Sequence, residues 1–396
     1  MRIRKTLWNN DAEPIVVIMI ILLVLGSLNV FSSSFVLATT DYDNPYYFLQ
    51  RHCIMLFVGL LGFIVCRKLD YHNWRPFMPG IIVLMFIALV AVLVIGVEIN
   101  GAKRWLPLGP ASFQPAEFAK LVSIMLISAY LAACVKRGRK PSLFNKQLGI
   151  IFMMAVVTEL EPDMGTACII FGVPVLMLIT VGLPRWELAA GAAVGVGGVI
   201  GLVALQPYRL ERIKVMFDPW ADAQGVGYQT VQSLSTIGSG GLLGMGLGGG
   251  VSKYEYLPEA HTDFAFAIFC QEHGYIGAFF VFLMFALLLL YCARVANRAA
   301  DEFGQMLAMG VMLLIMGQAI ANIAMVGGMF AVVGVPLPFI SYGGSSLIVT
   351  MSAMGILLNI CDHSLKSGQE QPPPRPAALQ PGREAASQGS HLHLVK

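Results

Sequence analysis

Long uninterrupted apolar runs separated by short polar stretches set the pattern of this chain. The apolar residues follow neither the one-sided stripe of a surface helix nor the alternation of a half-buried strand. A bilayer span needs roughly 20 mostly apolar residues, and only a helix satisfies its own backbone polar groups inside lipid. The pattern predicts ten such helices, at Pro14–Ala38, Phe48–Cys66, Phe77–Val97, Phe118–Val135, Gln147–Leu160, Gly165–Val181, Trp186–Leu205, Phe264–Ala293, Gly304–Val333 and Ser345–Cys361. The fifth is short for a span. The expected fold is therefore an all-α integral membrane protein of about ten transmembrane helices, with one long structured exported loop at 206–263. Residues 1–13 form a cytoplasmic N-terminus, 14–366 the polytopic domain and 367–396 a disordered cytoplasmic tail rich in Pro, Gln, Ala and Ser.

Composition agrees with the pattern. Hydrophobic residues are 57% of the 396 and charged residues 12%, about half the charged share of a soluble domain. A net charge of +3 gives no electrostatic footprint for nucleic acid. All seven cysteines lie in or beside apolar runs, which argues for packing thiols over a disulfide framework. With the N-terminus placed in the cytoplasm, 18 of the 26 Lys and Arg residues fall on the cytoplasmic side, and both termini are expected there.

On that topology the ionisable residues at helix mouths collect on the outer side, where chemistry at a membrane is expected. Glu117 and Lys120 share one face at the start of the fourth helix, as a structural ion pair or as a gating carboxylate beside a phosphate-holding cation. Lys103, Arg104 and Trp105 suit an anionic headgroup or simple interface anchoring. Glu161 and Asp163, beside the helix breakers Pro162 and Gly165, read as a capped turn or as the lining of a polar cavity. Asp263 precedes the eighth helix, where an aspartate either caps the helix or waits as a positioned base, with Glu259 and His261 nearby. Glycines 244–249 match G-x-G-x-x-G, but no strand precedes them, so a dinucleotide site is rejected in favour of a tight turn or close approach.

Four segments together resemble the SEDS family (shape, elongation, division and sporulation). They are Asn100–Leu106 with Phe113–Lys120, Glu161–Thr166, Lys253–Phe264 and Pro338–Ser346. The third and fourth are more similar to the division and sporulation branch (FtsW, SpoVE) than to the elongation branch (RodA). The resemblance implies a peptidoglycan glycosyltransferase that polymerises lipid II outside the cytoplasmic membrane for septal or sporulation wall synthesis. It implies work beside a class B penicillin-binding transpeptidase and other divisome membrane proteins. It makes Asp263 the catalytic residue, supported by Glu255, His261 and Glu259. Lys103, Arg104, Trp105, Gln114, Lys120, Ser341 and Ser345 become candidate substrate and diphosphate contacts, and Glu117, Glu161 and Asp163 structural or gating groups. The sequence presents no metal-ligand cluster, although a divalent cation (Mg or Mn) bridging Asp263 and a diphosphate is compatible with it. A lipid II flippase and a non-enzymatic scaffold that recruits the transpeptidase are the alternative readings.

Overall fold

The structure is a computed structural model describing residues 10–99, 102–108, 111–204, 215–250, 252 and 257–370. Its helices are α1 (Ala12–Tyr42), α2 (Tyr47–Lys68), α3 (Trp74–Ile95), α4 (Pro115–Lys136), α5 (Lys146–Leu160), α6 (Met164–Val181), α7 (Arg185–Ala204), α8 (Tyr228–Ser239), α9 (Ala265–Asn297), α10 (Glu302–Val326) and α11 (Gly344–Glu370). Eight of them are long and apolar enough to cross a membrane. The 15-residue α5 and the 20-residue α7 complete the ten expected segments. The protein is an all-α integral membrane protein.

Helix starts follow local chemistry. The Asn145 side chain accepts from Leu148 N at 2.7 Å, and Asp301 accepts from Phe303 N at 3.0 Å; each satisfies a donor that the first turn leaves without an intrahelical partner. One end was misjudged from sequence: the expected ninth span runs to Val333, but α10 stops at Val326. Gly328 takes φ +70°, and Met329 N reaches back to Ala324 O at 2.8 Å, a glycine-terminated helix end. Hydropathy alone cannot register that stop, because residues 329–333 are as apolar as the helix before them. The last helix departs the other way and continues to Glu370, four residues into the expected tail. Residues 371–396 lie outside the described residues.

The bundle is built around α4 and α11. From Val349 to Cys361 nearly every residue of α11 is buried, and α4 buries most of its length. Against α11 lies α2, at a separation so small that a Cβ on Gly355 would strike the Phe63 carbonyl. Small residues allow such approach where apolar lipid supplies no hydrophobic drive between helices. The lipid-facing side of α3 carries exposed Phe77, Val83, Leu84, Ile87 and Val94.

Two features sit outside the all-helical expectation. The segment between α3 and α4 folds as a three-stranded antiparallel sheet, β1 (Val97–Ile99), β2 (Ala102–Leu108) and β3 (Ala111–Phe113), with Glu98 opposite Lys103 and Pro107 opposite Ser112. In addition, α9 is broken at Gly274, where φ is 65° and ψ is −165°. Residues 241–246 lie along the break and pair with it as a strand would. Met245 N and Gly246 N donate to the carbonyls of Gln271 and Glu272, both at 3.0 Å. Tyr275 N and Ile276 N donate to Gly241 and Leu242 at 2.9 and 3.2 Å. The 244–249 glycines thus give close approach to a helix backbone, and the groups the break frees are satisfied inside the protein.

Candidate functional site

At one end of the bundle converge the sheet, the N-terminus of α4, the α5–α6 turn, the loop before α9 and the exit of α10. Alternation along β2 puts Arg104 on the opposite face from Lys103 and Trp105. The Arg104 guanidinium donates to the Pro162 carbonyl, and its Nε is buried without a partner among the described residues. Lys103 stays exposed beside Glu98.

Gln114 joins three elements. Its N–H donates to Ser345 Oγ at 3.0 Å and its Nε2 to Asp163 Oδ2 at 2.9 Å. Asp163 caps α6 by accepting from Thr166 N at 3.2 Å. Below it, the Lys120 ammonium meets Glu117 Oε2 at 2.7 Å, with the two side chains 1% and 5% exposed. A pair so enclosed fixes the start of α4, and Lys120 reaches a phosphate only if that pair opens. Glu161 is buried, with both carboxylate oxygens unpartnered among the described residues. Burial, then the Asp163 charge, pushes it up to about 8 against the opposing pull of Arg104, so it is held neutral at neutral pH.

Asp263 is not the cap of α9. Phe264 occupies that position and the first turn has no side-chain cap, because the 259–264 turn closes on its own backbone: Phe264 N and Thr262 N both donate to Glu259 O at 3.2 Å. The Asp263 backbone carbonyl accepts from Asn322 Nδ2 at 2.7 Å, and the same amide donates to Val335 O at 2.7 Å. Gly334 faces the carboxylate so closely that a Cβ there would lie 3.3 Å from Oδ2. Burial is the main cause that raises Asp263 to about 7; the charges of Glu259, Asp163 and Glu117 add to it and Arg104 opposes. That value matches a general base working near neutral pH.

His261 is packed between aromatic rings, 4.7 Å from Phe48 and 5.6 Å from Tyr342 between centroids, and its carbonyl accepts from Tyr342 N at 3.0 Å. Burial lowers its pKa, against a smaller opposing pull from Glu259. Glu259 is exposed in the left-handed region at φ 54°, and its carboxylate accepts from Thr262 Oγ1 at 2.6 Å. Ser341 Oγ accepts from Leu337 N at 3.0 Å and holds the turn before α11. Glu255 lies outside the described residues. No group of three His, Cys, Asp or Glu side chains among the described residues is placed to hold a metal ion.

Residues 13–366 match the cell cycle protein family of FtsW, RodA and SpoVE. The chain belongs to this family. Among curated FtsW/RodA/SpoVE relatives, stage V sporulation protein E of Bacillus subtilis (strain 168) is 37% identical over 88% of this chain and 96% of its own length. A probable peptidoglycan glycosyltransferase FtsW of Aliivibrio salmonicida (strain LFI1238) is 36% identical over 89% of each chain. A solved peptidoglycan synthase complex, described as coordinating polymerization and crosslinking, superposes with TM-score 0.72 at 26% identity, over 88% of this chain and 97% of that one. RodA of Thermus thermophilus shares the fold, with TM-score 0.63 at 24% identity over 90% of this chain and 98% of its own.

The sequence reading missed Asn322 as the residue that holds the Asp263 backbone. Its i, i+4 spacing with Gln318 places both amides on one helix face, which is compatible with any inter-helix hydrogen bond and names no partner. Glu272, inside the apolar run of α9, accepts from Ser32 Oγ and from Gly248 N at 3.1 Å, which ties α1 and the glycine loop to the break in α9.

Proposed function

We propose that this chain is a peptidoglycan glycosyltransferase that polymerises lipid II on the exported face of the bacterial cytoplasmic membrane, for septal or sporulation wall synthesis. The observation that carries the reading is the Asp263 carboxyl: free of the capping duty its position suggests, enclosed at a membrane mouth, and raised to about 7. As the base it takes the proton from the 4-hydroxyl of the acceptor sugar. The oxygen bonds to the donor's anomeric carbon as the bond to undecaprenyl diphosphate breaks. Positioned bases contribute roughly a hundred- to ten-thousand-fold.

Arg104, with a buried Nε to spare, is the candidate for the leaving diphosphate. Lys103 and Trp105, on the other face of β2, suit the headgroup or a partner; Lys120 and Glu117 hold the α4 start, and Gln114, Asp163, Ser341 and Ser345 fix the walls. Glu259 and His261 shape the turn that presents Asp263, and Glu255 keeps the supporting role that the resemblance implies. A divalent cation at Asp263 would draw its remaining ligands from diphosphate and water. A class B penicillin-binding transpeptidase is the proposed partner, alongside other divisome proteins, and both termini are proposed to be cytoplasmic.

The test is lipid II polymerisation by purified chain with its transpeptidase, comparing wild type and Asp263→Asn, with moenomycin silencing unrelated polymerases. Glycan strands from wild type alone are expected. No strands from either, with intact lipid II and partner, would favour the flippase or the scaffold; strands from both would remove Asp263 as base.

A further inference from the structure

At the end of the bundle away from Asp263, a cleft of about 730 Å³ opens between the starts of α3 and α10 and the end of α4. We propose that this cleft binds a phosphate-bearing anion, the headgroup of an anionic phospholipid or a soluble phosphate. Its walls include Arg75, Lys136 and Arg137, together with His72, Asp301 and Glu302.

Asp301 and the histidine are already engaged. Asp301 accepts from the Tyr71 hydroxyl, from Phe303 N at 3.0 Å and from Gly304 N at 3.4 Å. Both ring nitrogens of His72 face carboxylates, Nδ1 at 2.8 Å from Asp70 and Nε2 at 3.4 Å from Asp301. The three cations are arranged differently. Arg75 lies over the Phe303 ring with its guanidinium carbon 4.8 Å from the centroid, which orients it without neutralising it. None of Arg75, Lys136 and Arg137 has a carboxylate partner within 4.0 Å among the described residues. Counting Lys, Arg, Asp and Glu alone, three cations against Asp301 and Glu302 leave the cleft lining with a net charge of +1.

Charge bias toward one side of a membrane would scatter such cations along the loops. Here three of them, from two helices, border one concavity. Close by, the same two helices expose Phe77 and Val135, so apolar surface adjoins cationic surface, as a phospholipid's own chemistry demands. Basic pockets between transmembrane helices hold anionic headgroups for this reason. Lys136 also complements the α4 C-terminal dipole, but that role explains neither Arg75 nor Arg137.

The experiment compares the full-length wild type, the Arg75→Gln/Lys136→Gln/Arg137→Gln variant and an Arg139→Gln/Lys140→Gln/Lys146→Gln control. The control removes the same charge from the same end of the bundle, outside the cleft. Each is placed in phosphatidylcholine nanodiscs, in discs doped with cardiolipin, and in phosphatidylcholine discs with inorganic phosphate. Thermal unfolding and lipid retention in native mass spectra are read. Stabilisation and a retained cardiolipin are expected for wild type and control, with affinity roughly 100-fold lower in the cleft variant for three lost charges. A cleft-dependent gain from phosphate alone would identify a soluble ligand for the same site. Equal responses from all three proteins, or equal loss in control and cleft variant, would overturn the proposal. If the triple variant does not purify, Arg137→Glu at the exposed rim is read by the same criteria.

Discussion

Asp263 and the Glu117–Lys120 pair show how differently enclosed charges behave. At Asp263, burial and like charges outweigh the opposing pull of Arg104 and hold the pKa at about 7. Its basic form is therefore the minor species below that pH. Glycan synthesis per unit substrate should fall about tenfold for each pH unit below 7 and level off above it, which a pH series of polymerisation rates at low lipid II will check. The Glu117–Lys120 pair sits at 2.7 Å with almost no exposure. Removing one member leaves a buried charge alone, at about 3–5 kcal/mol. Lys120→Met should thus unfold at much lower temperature, while Glu117→Gln/Lys120→Met should regain most of the loss. A double-mutant cycle of thermal unfolding measures the difference, and additive losses would show that the pair does not act as a unit. Both residues were legible as an i, i+3 pair, because helical spacing is local; that Asp263 does not cap α9 was not, because the competing bonds to the Glu259 carbonyl are set by the turn.

Among the elements, the broken α9 is the least expected. Its polar residues Gln271, Glu272 and His273 stand in an apolar run that reads as one span. The break works because Gly274 adopts a backbone region nearly closed to other residues, and because residues 241–246 supply the missing partners. A Cβ on Gly274 would strike Gly244 N and Leu242 O. Gly274→Ala should detach the 241–246 segment and speed amide exchange at Met245, Gly246, Tyr275 and Ile276. Gly149→Ala, in a helix with open space for a Cβ, should leave that exchange unchanged. Hydrogen exchange followed by mass spectrometry reads both.

Over the whole molecule, the sheet and the helix ends that build the candidate site belong to one side of the bundle, and the cationic cleft to the other. The proposed orientation puts the β-hairpin outside and the α4–α5 loop inside. Lys103→Cys, exposed on β2, should react with an impermeant maleimide on intact cells. Lys140→Cys should react only after permeabilisation, both in a background without the native cysteines. The reverse pattern would invert the topology and move Asp263 to the cytoplasm, against the polymerase reading.

The sequence alone determined the membrane class, the approximate spans and the family-bearing motifs. Each depends on local properties: run length against bilayer thickness, and motif residues read in order. Tertiary structure decided the rest. It turned Arg104 toward Pro162 and Lys103 away, sealed Lys120 against Glu117, stopped α10 at Val326 so that Gly334 and Val335 pass beside Asp263 and Asn322, and brought Asn322 to the Asp263 backbone. Hydropathy cannot distinguish an apolar loop from an apolar helix, and a charge's neighbours across the bundle lie far away in sequence. The Asp263 position was therefore readable from the chain, whereas the environment that sets its pKa is tertiary: burial raises it, the charges of Glu259, Asp163 and Glu117 add to the rise, and the Arg104 strand opposes it.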